Sequence, residues 1–439
     1  MNGAYFRKPL VQIFVCLALY AAVPVLCLGA QEESVGVSLE AALGHEATFQ
    51  NLRGNALLNP GNQLDQSQAA GNFFQTLYLD TVFPGNLSFR LETRAEWFPW
   101  RDGMDTDTVG INLYGITAND SVDLETWELG YTSPGALFSC GAGKVPWLPG
   151  PAKQLKAANY FEWLFGEQGK TLAWAALTFD QASVKAVYAP RGDWVPESFA
   201  DGAAGILPGE SVFGLQGQAF FDSLDAGFFV SWDSDLTGGA WMSYMLGSDL
   251  LVYGEGSITS KKWMPVLDES NFAVDMTRKN GVRAMGGVLV SPSFADVSVY
   301  LEGMYTGDAY TDRDWESLSR TLATADAYLG LNAAGVRGSV LRDIRWAGMN
   351  PWSFAIHLRP NSSLFDALDW SYSIRYSLPE DLYSRLDLNF SLPGNIGLDL
   401  RWDAPFALGL DHTVRETGCF VYGQRLDIGL TFRFNAGNR

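Results

Sequence analysis

Strict alternation of polar and apolar side chains, recurring in segments of about ten residues, is the feature that most restricts the folds open to this chain. In LSFRLETRAEWFP (87–99), Arg90, Glu92, Arg94 and Glu96 occupy every second position, with Phe89, Leu91, Thr93, Ala95 and Trp97 between them. Residues two apart share one face of a strand, so this segment reads as a β-strand with one charged and one greasy face. The pattern returns in ALDWSYSIRYS (367–377), where Leu368, Trp370, Tyr372, Ile374 and Tyr376 oppose Asp369, Ser371, Ser373 and Arg375. It returns again in LYSRLDLNFSL (382–392), GNIGLDLRWD (394–403) and RLDIGLTFRF (425–434).

Read along its length, the chain yields about 18 such strands, with 16 as the other even count the pattern allows. Their connections alternate in length. Tight turns such as PGN (84–86), SPG (133–135), GS (247–248) and LPG (392–394) are followed by long connections near 47–71, 99–121, 146–169, 192–210, 259–279, 307–350 and 403–422. Short turns on one rim and long loops on the other are the asymmetry of a transmembrane antiparallel up-and-down β-barrel. Such a barrel satisfies its backbone by closure, turns an apolar belt to lipid and keeps a wet, charged interior. The alternation at 87–99 then has a physical reason: the Arg/Glu row faces the lumen and the Phe/Leu/Trp row the lipid. Trp97, Trp232 and Trp402, where strands enter their outer connections, are candidates for an interfacial aromatic girdle.

The N-terminus suits this reading. Arg7 and Lys8 precede an apolar run from Leu10 to Leu28 that ends at Gly29-Ala30, the pattern of a secretory leader cleaved near Ala30 after Sec-dependent export. Residues 1–30 are expected to be this signal peptide and 31–439 a single barrel domain. The formal net charge is −19, and losing the two basic residues of the leader makes the remainder more acidic still. That balance argues against nucleic acid as a partner. Beyond the leader only Cys140 and Cys419 remain, and their pairing is left open.

Asp427, Gly429, Phe432 and Phe434 resemble the C-terminal assembly signal of bacterial outer-membrane proteins, followed here by a tail of Asn435–Arg439. The resemblance implies partners in the barrel-assembly machinery and periplasmic chaperones, the machinery reading the last strand by backbone pairing. LLNPGNQLD (57–65) and GAGKVPWLPGPAKQLKAANYFEW (141–163) resemble, more distantly, porin-like barrels of the alginate-export and related uncharacterised families. Trp147-Leu148 and Asn159-Tyr160 stand where those families carry Trp-Gly and Asn-Pro, and the resemblance brings no substrate with it.

The candidate pore-lining residues are Arg90, Glu92, Arg94 and Glu96 on the third strand and Asp369, Arg375, Arg385, Asp387, Asp399, Arg401, Arg425 and Arg433 on the last four. Closure would place these strands on nearly one wall. Two readings stand: an ion-pair lattice that keeps a water-filled barrel open, or a basic ladder that guides anions. TDRDWESLSRTLATADAYL (311–329) sets Leu318, Leu322, Ala325 and Leu329 on one helical face, with Asp312 or Asp314 as cap, so a helix in the longest loop could narrow the lumen or lie over its mouth.

Catalysis has little support. The three histidines, His45, His357 and His412, form no metal-ligand spacing, and no nucleophile elbow is present. No enzyme activity, cofactor or metal is expected. The leading expectation is a passive channel for small hydrophilic solutes, anions among them, in contact with outer-membrane lipid. The alternatives are a surface adhesin or ligand-binding barrel acting through acidic loops, and a fatty-acid-type transporter. The solute and the choice of monomer or trimer are not legible.

Overall fold

The structure is a computed structural model and describes residues 36–52, 69–101, 121–145, 170–189, 211–232, 236–330, 333, 335–337, 351–362, 367–378, 381–407 and 422–438. The leader, His412 and Cys419 lie outside these residues, and so does most of the segment from 141 to 163. The first six strands are β1 (Gly36–Leu52), β2 (Ala69–Phe83), β3 (Leu87–Arg101), β4 (Ser121–Thr132), β5 (Phe138–Val145) and β6 (Lys170–Thr178). The next six are β7 (Ala182–Ala189), β8 (Val212–Phe221), β9 (Leu224–Trp232), β10 (Leu236–Leu246), β11 (Leu250–Leu267) and β12 (Val274–Val290). After β13 (Val297–Thr306) comes a helix, α1 (Asp312–Leu329), then β14 (Trp352–Pro360), β15 (Leu368–Leu378), β16 (Asp381–Leu392), β17 (Ile396–Ala407) and β18 (Tyr422–Asn438).

Each strand pairs antiparallel with its predecessor, and β18 pairs with β1 from Val37↔Asn438 to Leu52↔Tyr422, so 18 strands close into one barrel. Closure leaves no unpaired edge, the condition under which strands can cross a bilayer. Among the described residues no helix is long and apolar enough to do so.

The short turns owe their shape to local chemistry. Three contain Pro-Gly followed by a residue at positive φ: Gly85 at 80° and Asn86 at 62°, Gly135 at 83° and Ala136 at 58°, Gly394 at 85° and Asn395 at 60°. Proline pre-sets the first corner, and glycine takes the second without a Cβ clash.

One connection differs from expectation. The sequence reading places a long loop at 259–279, whereas β11 and β12 continue as a paired hairpin through a bulge between Thr259 and Lys262, up to Leu267↔Val274. Backbone pairing persists there although side-chain alternation fades. The turn that joins them is held by Asp268, whose Oδ1 accepts from the Ser270 hydroxyl at 2.5 Å and the Ser270 amide at 2.6 Å.

The helix cap lies one residue before Asp312, the first of the two expected capping positions, Asp312 and Asp314. Thr311 is the N-cap, with a reciprocal bond from Asp314 that completes a capping box. Trp315, Leu318, Leu322 and Ala325 are buried on one face, and Leu329 is half-buried at its end. Polar contacts tie this segment to the barrel, among them Arg283 to Asp308 at 3.4 Å and Ser317 to Glu269 at 3.3 Å.

Candidate pore wall

Contacts that bridge alternate strands identify the inner face. The Arg94 guanidinium reaches Glu46 across β2 at 3.9 Å, the Trp174 Nε1–H donates to Glu128 across β5 at 3.1 Å, and the Tyr253 hydroxyl donates to Glu302 across β12 at 2.7 Å. Side chains converge only on the concave side of a closed sheet, so these residues point inward. The Tyr253 contact passes over Gly287, where a Cβ would come within 2.5 Å of the tyrosine ring. On the opposite face Leu43, Phe49, Phe73, Phe432 and Phe434 are exposed, as a lipid-facing belt would be.

Register carries the inner face around the barrel. Arg90, Glu92, Arg94 and Glu96 pair with Asp80, Tyr78, Thr76 and Phe74 on β2, all on the side of Glu46. From β15 to β18, one inward row runs Ser373, Arg385, Asp403, Arg425, and the row beside it runs Ser371, Asp387, Arg401, Asp427 and on to Thr48 of β1. Arg375 lies opposite Tyr383 and Ala355, and Asp399 opposite Asn389 and Gly429. Asp369 and Arg433 sit near the short-turn rim, away from the dense part of the cluster.

In that dense part cations and carboxylates neutralise one another. Arg385 Nε meets Asp403 at 2.7 Å, Arg401 Nε meets Asp387 at 2.8 Å, and Arg425 Nε meets Asp427 at 2.9 Å. Asp403 also accepts from the Tyr383 hydroxyl at 2.7 Å, and Asp427 from the Thr48 hydroxyl at 2.6 Å. Arg94 joins Glu96 at 2.6 Å. Arg90–Asp80, at 3.4 Å with both side chains about half exposed, is a surface-type pair worth no more than about 1 kcal/mol. Asp403 and Asp427 are nearly covered, so their two or three donors are needed to offset lost hydration. Arg401 keeps half its side chain exposed on this inner face.

Other expected positions fall as follows. Trp232 is exposed at the end of β9, and Trp402 lies on the outer face opposite Leu386 and Leu426. The Trp97 backbone pairs with Phe73. In β18, Asp427 is buried inside, Gly429 lies opposite Glu46, and Phe432 and Phe434 face outward. His357 is buried on the inner face, its Nδ1 at 2.8 Å from the Ser373 hydroxyl, whereas His45 turns outward against the Phe73 ring.

Sequence reasoning missed a second wall. Leu172, Val187, Ala189, Val212, Phe229 and Trp241 form a buried apolar cluster flanked by Val145 and Trp174, and register puts it on the inner face of β5–β10. A smaller inner cluster joins Tyr253, Met285, Tyr300 and Ala355 on β11–β14. The signal was present but weak: in KTLAWAALT and ASVKAVYA both faces are apolar, so alternation does not separate inside from outside.

Comparison with known proteins supplies the fold's context. No protein-family model and no curated protein sequence matches the chain. Solved structures do. OpdK of Pseudomonas aeruginosa, solved with vanillate, superposes with a TM-score of 0.51 at 7% identity, covering 91% of this chain and 99% of its own. OccAB1 of Acinetobacter baumannii gives 0.52 at 10% identity, covering 92% and 97%, and OccK9 (OpdG) of P. aeruginosa gives 0.52 at 9%, covering 92% and 99%. OpdK is described as an outer membrane protein. The chain shares their barrel fold over nearly its whole length.

Proposed function

We propose that the protein is an outer-membrane channel giving passive passage to small hydrophilic solutes, organic anions among them. The observation that carries this reading is the half-exposed Arg401 within an ion-paired wall on the inner face, since charge that remains hydrated inside a closed barrel requires an aqueous interior. The fold shared with OpdK, the apolar outer face and the count of 18 strands support it, and barrels of this size ordinarily enclose a lumen. OpdK was solved with vanillate, a small organic anion, which supports solutes of that size class. On this reading residues 1–30 direct Sec-dependent export, Asp427, Gly429, Phe432 and Phe434 present the assembly signal, and Trp97, Trp232 and Trp402 sit at the lipid interface.

The pairing geometry favours the lattice over a free basic ladder. Arg385, Arg401 and Arg425 each hold a carboxylate within 2.9 Å, which leaves little uncompensated positive charge for guiding anions. Single-channel conductance of the refolded mature protein in a planar bilayer, under a salt gradient, tests the proposal. Large stable steps are expected. A correctly folded, heat-modifiable barrel that never conducts would sink it. Simultaneous charge reversal of Arg385, Arg401 and Arg425 should move the reversal potential toward cation preference, and an unmoved potential in an open channel would remove this wall from selectivity.

A further inference from the structure

The outward side of the barrel is not uniform. On β8–β10 its residues are bulky and exposed, as in Phe213, Leu215, Phe228, Val230, Met242 and Tyr244. On β1–β3 the same side carries His45, Gln75 and Thr93, whose direction follows from alternation, since Glu46, Thr76 and Arg94 beside them point into the lumen. The three form one diagonal line. Gln75 is two residues beyond Phe73, the register partner of His45, and Thr93 is two residues before Ala95, the partner of Gln75. Diagonal neighbours of this kind stand about 7 to 8 Å apart on a sheet face.

None of these side chains has a hydrogen-bond partner among the described residues, and His45 meets only the Phe73 ring, with 4.8 Å between centres. All three are half-buried and keep open surface. Thr93 lies four residues from Trp97 toward the short-turn rim, roughly 13 Å along the strand. On the reading that places Trp97 at the lipid interface, the line therefore falls within the hydrocarbon belt. An imidazole and a carboxamide find neither donor nor acceptor among acyl chains, a cost that protein contact ordinarily offsets. Ser384, also on the outward side, shows the other solution, a bond of 3.1 Å to the Tyr372 hydroxyl within the same barrel. Around the line, Ala41, Ala47 and Ala95 are small enough to let another surface approach closely.

We propose that this face of β1–β3 is the contact between two copies of the chain, related by a two-fold axis along the membrane normal. The line is self-complementary, because imidazole, carboxamide and hydroxyl each donate and accept. Two-fold symmetry reverses its order on the facing copy, so Gln75 meets its own equivalent at the axis, and His45 of each copy meets the Thr93 position of the other. The line carries no carboxylate, whereas the chain's net charge of −19 opposes contact through its charged surfaces. This inference rests on the outer-membrane placement of the barrel and does not require conduction.

The test is the oligomeric state of the full mature protein in lipid bilayers, read by single-molecule photobleaching over a range of protein-to-lipid ratios. A dimer is expected. His45→Leu and Gln75→Leu together should raise its dissociation constant by about tenfold. Heat-modifiable mobility and conductance should stay as in the wild type, because leucine suits a lipid-facing position. With Cys140 and Cys419 changed to serine, Gln75→Cys should give a disulfide-linked dimer under mild oxidation, and Phe228→Cys, across the barrel on β9, should not. Monomers at every density, a trimer, or a dimer indifferent to the leucine pair would overturn the two-fold contact. A monomer that carries lipopolysaccharide and loses it in the leucine variant would also overturn it and assign the line to a lipid. A barrel that dimerises through Gln75 but never conducts would leave the contact standing and remove the channel reading.

Discussion

The two walls of this barrel solve the same problem in opposite ways. On β15–β18 and β1–β3 the inward residues are arginines and carboxylates that satisfy one another, as in Arg385–Asp403 and Arg425–Asp427. On β5–β10 they are Leu172, Val187, Phe229 and Trp241, which need no partner except one another. Where a guanidinium meets a carboxylate, as in Arg385–Asp403, Arg401–Asp387 and Arg425–Asp427, the contribution is specific pairing with little net energy. The apolar wall gains from burial at about 25 cal/mol per Å² and has no competing hydration.

The largest expected effect lies on the apolar wall. Phe229 is fully buried and lies over Gly239, whose absent Cβ leaves room for the ring. Phe229→Ala should destabilise the barrel by about 3 to 5 kcal/mol, the usual cost of emptying an aromatic site. Urea unfolding in lipid, followed by loss of heat-modifiable mobility on gels, measures it. A shift under about 1 kcal/mol would mean that water or a neighbour already fills the space, and the contrast between a dry wall and a wet one would fall.

A smaller change in stability, with a larger one in selectivity, is expected across the lumen. Asp403→Asn keeps the shape but strands Arg385 and weakens the Tyr383 contact. Loss of one buried carboxylate from such a pair costs about 3 to 5 kcal/mol in a dry interior. Arg385 keeps 38% of its side chain exposed, and screening by lumen water should bring the cost down to about 1 to 2 kcal/mol. The freed guanidinium should then turn the reversal potential toward anions. If stability falls by the full dry-interior amount while selectivity stays fixed, the charged wall is not wet.

The contrast also explains what could be read from the sequence. The charged wall was legible because LSFRLETRAEWFP and LYSRLDLNFSL put charge on one face and grease on the other, and a period of two then fixes strand, face and, over many segments, the closed barrel. The apolar wall was not, because Val184 faces outward and Val187 inward within one strand, and a hydrophobic residue carries no mark of which side it serves. The upper part of the β11–β12 hairpin was hidden for the opposite reason. In SKKWMPVLDESNFAVDMTRKN polar residues dominate, so the contrast that marks a membrane strand fades although backbone pairing continues.

That hairpin provides the smallest effect and a control for both walls. Asp268 sits in the exposed turn, half-buried itself, and the Ser270 hydroxyl, the Ser270 amide and the Asn271 amide hold its carboxyl below the usual carboxylate range. A carboxylate depressed by folding stabilises the turn above its unfolded pKa, and this support disappears as pH falls through the lower, folded value. Hydrogen exchange at the Ser270 and Asn271 amides, corrected for intrinsic rate, should therefore stay protected through neutral pH and rise only below about pH 4. Asp268→Asn should raise exchange at the same two amides at neutral pH and leave the rest of the barrel unchanged. Loss of protection spreading to strands β15–β18 over the same acid range would show that the charged wall titrates with the turn, and the independence of the lattice from the rim would have to be given up.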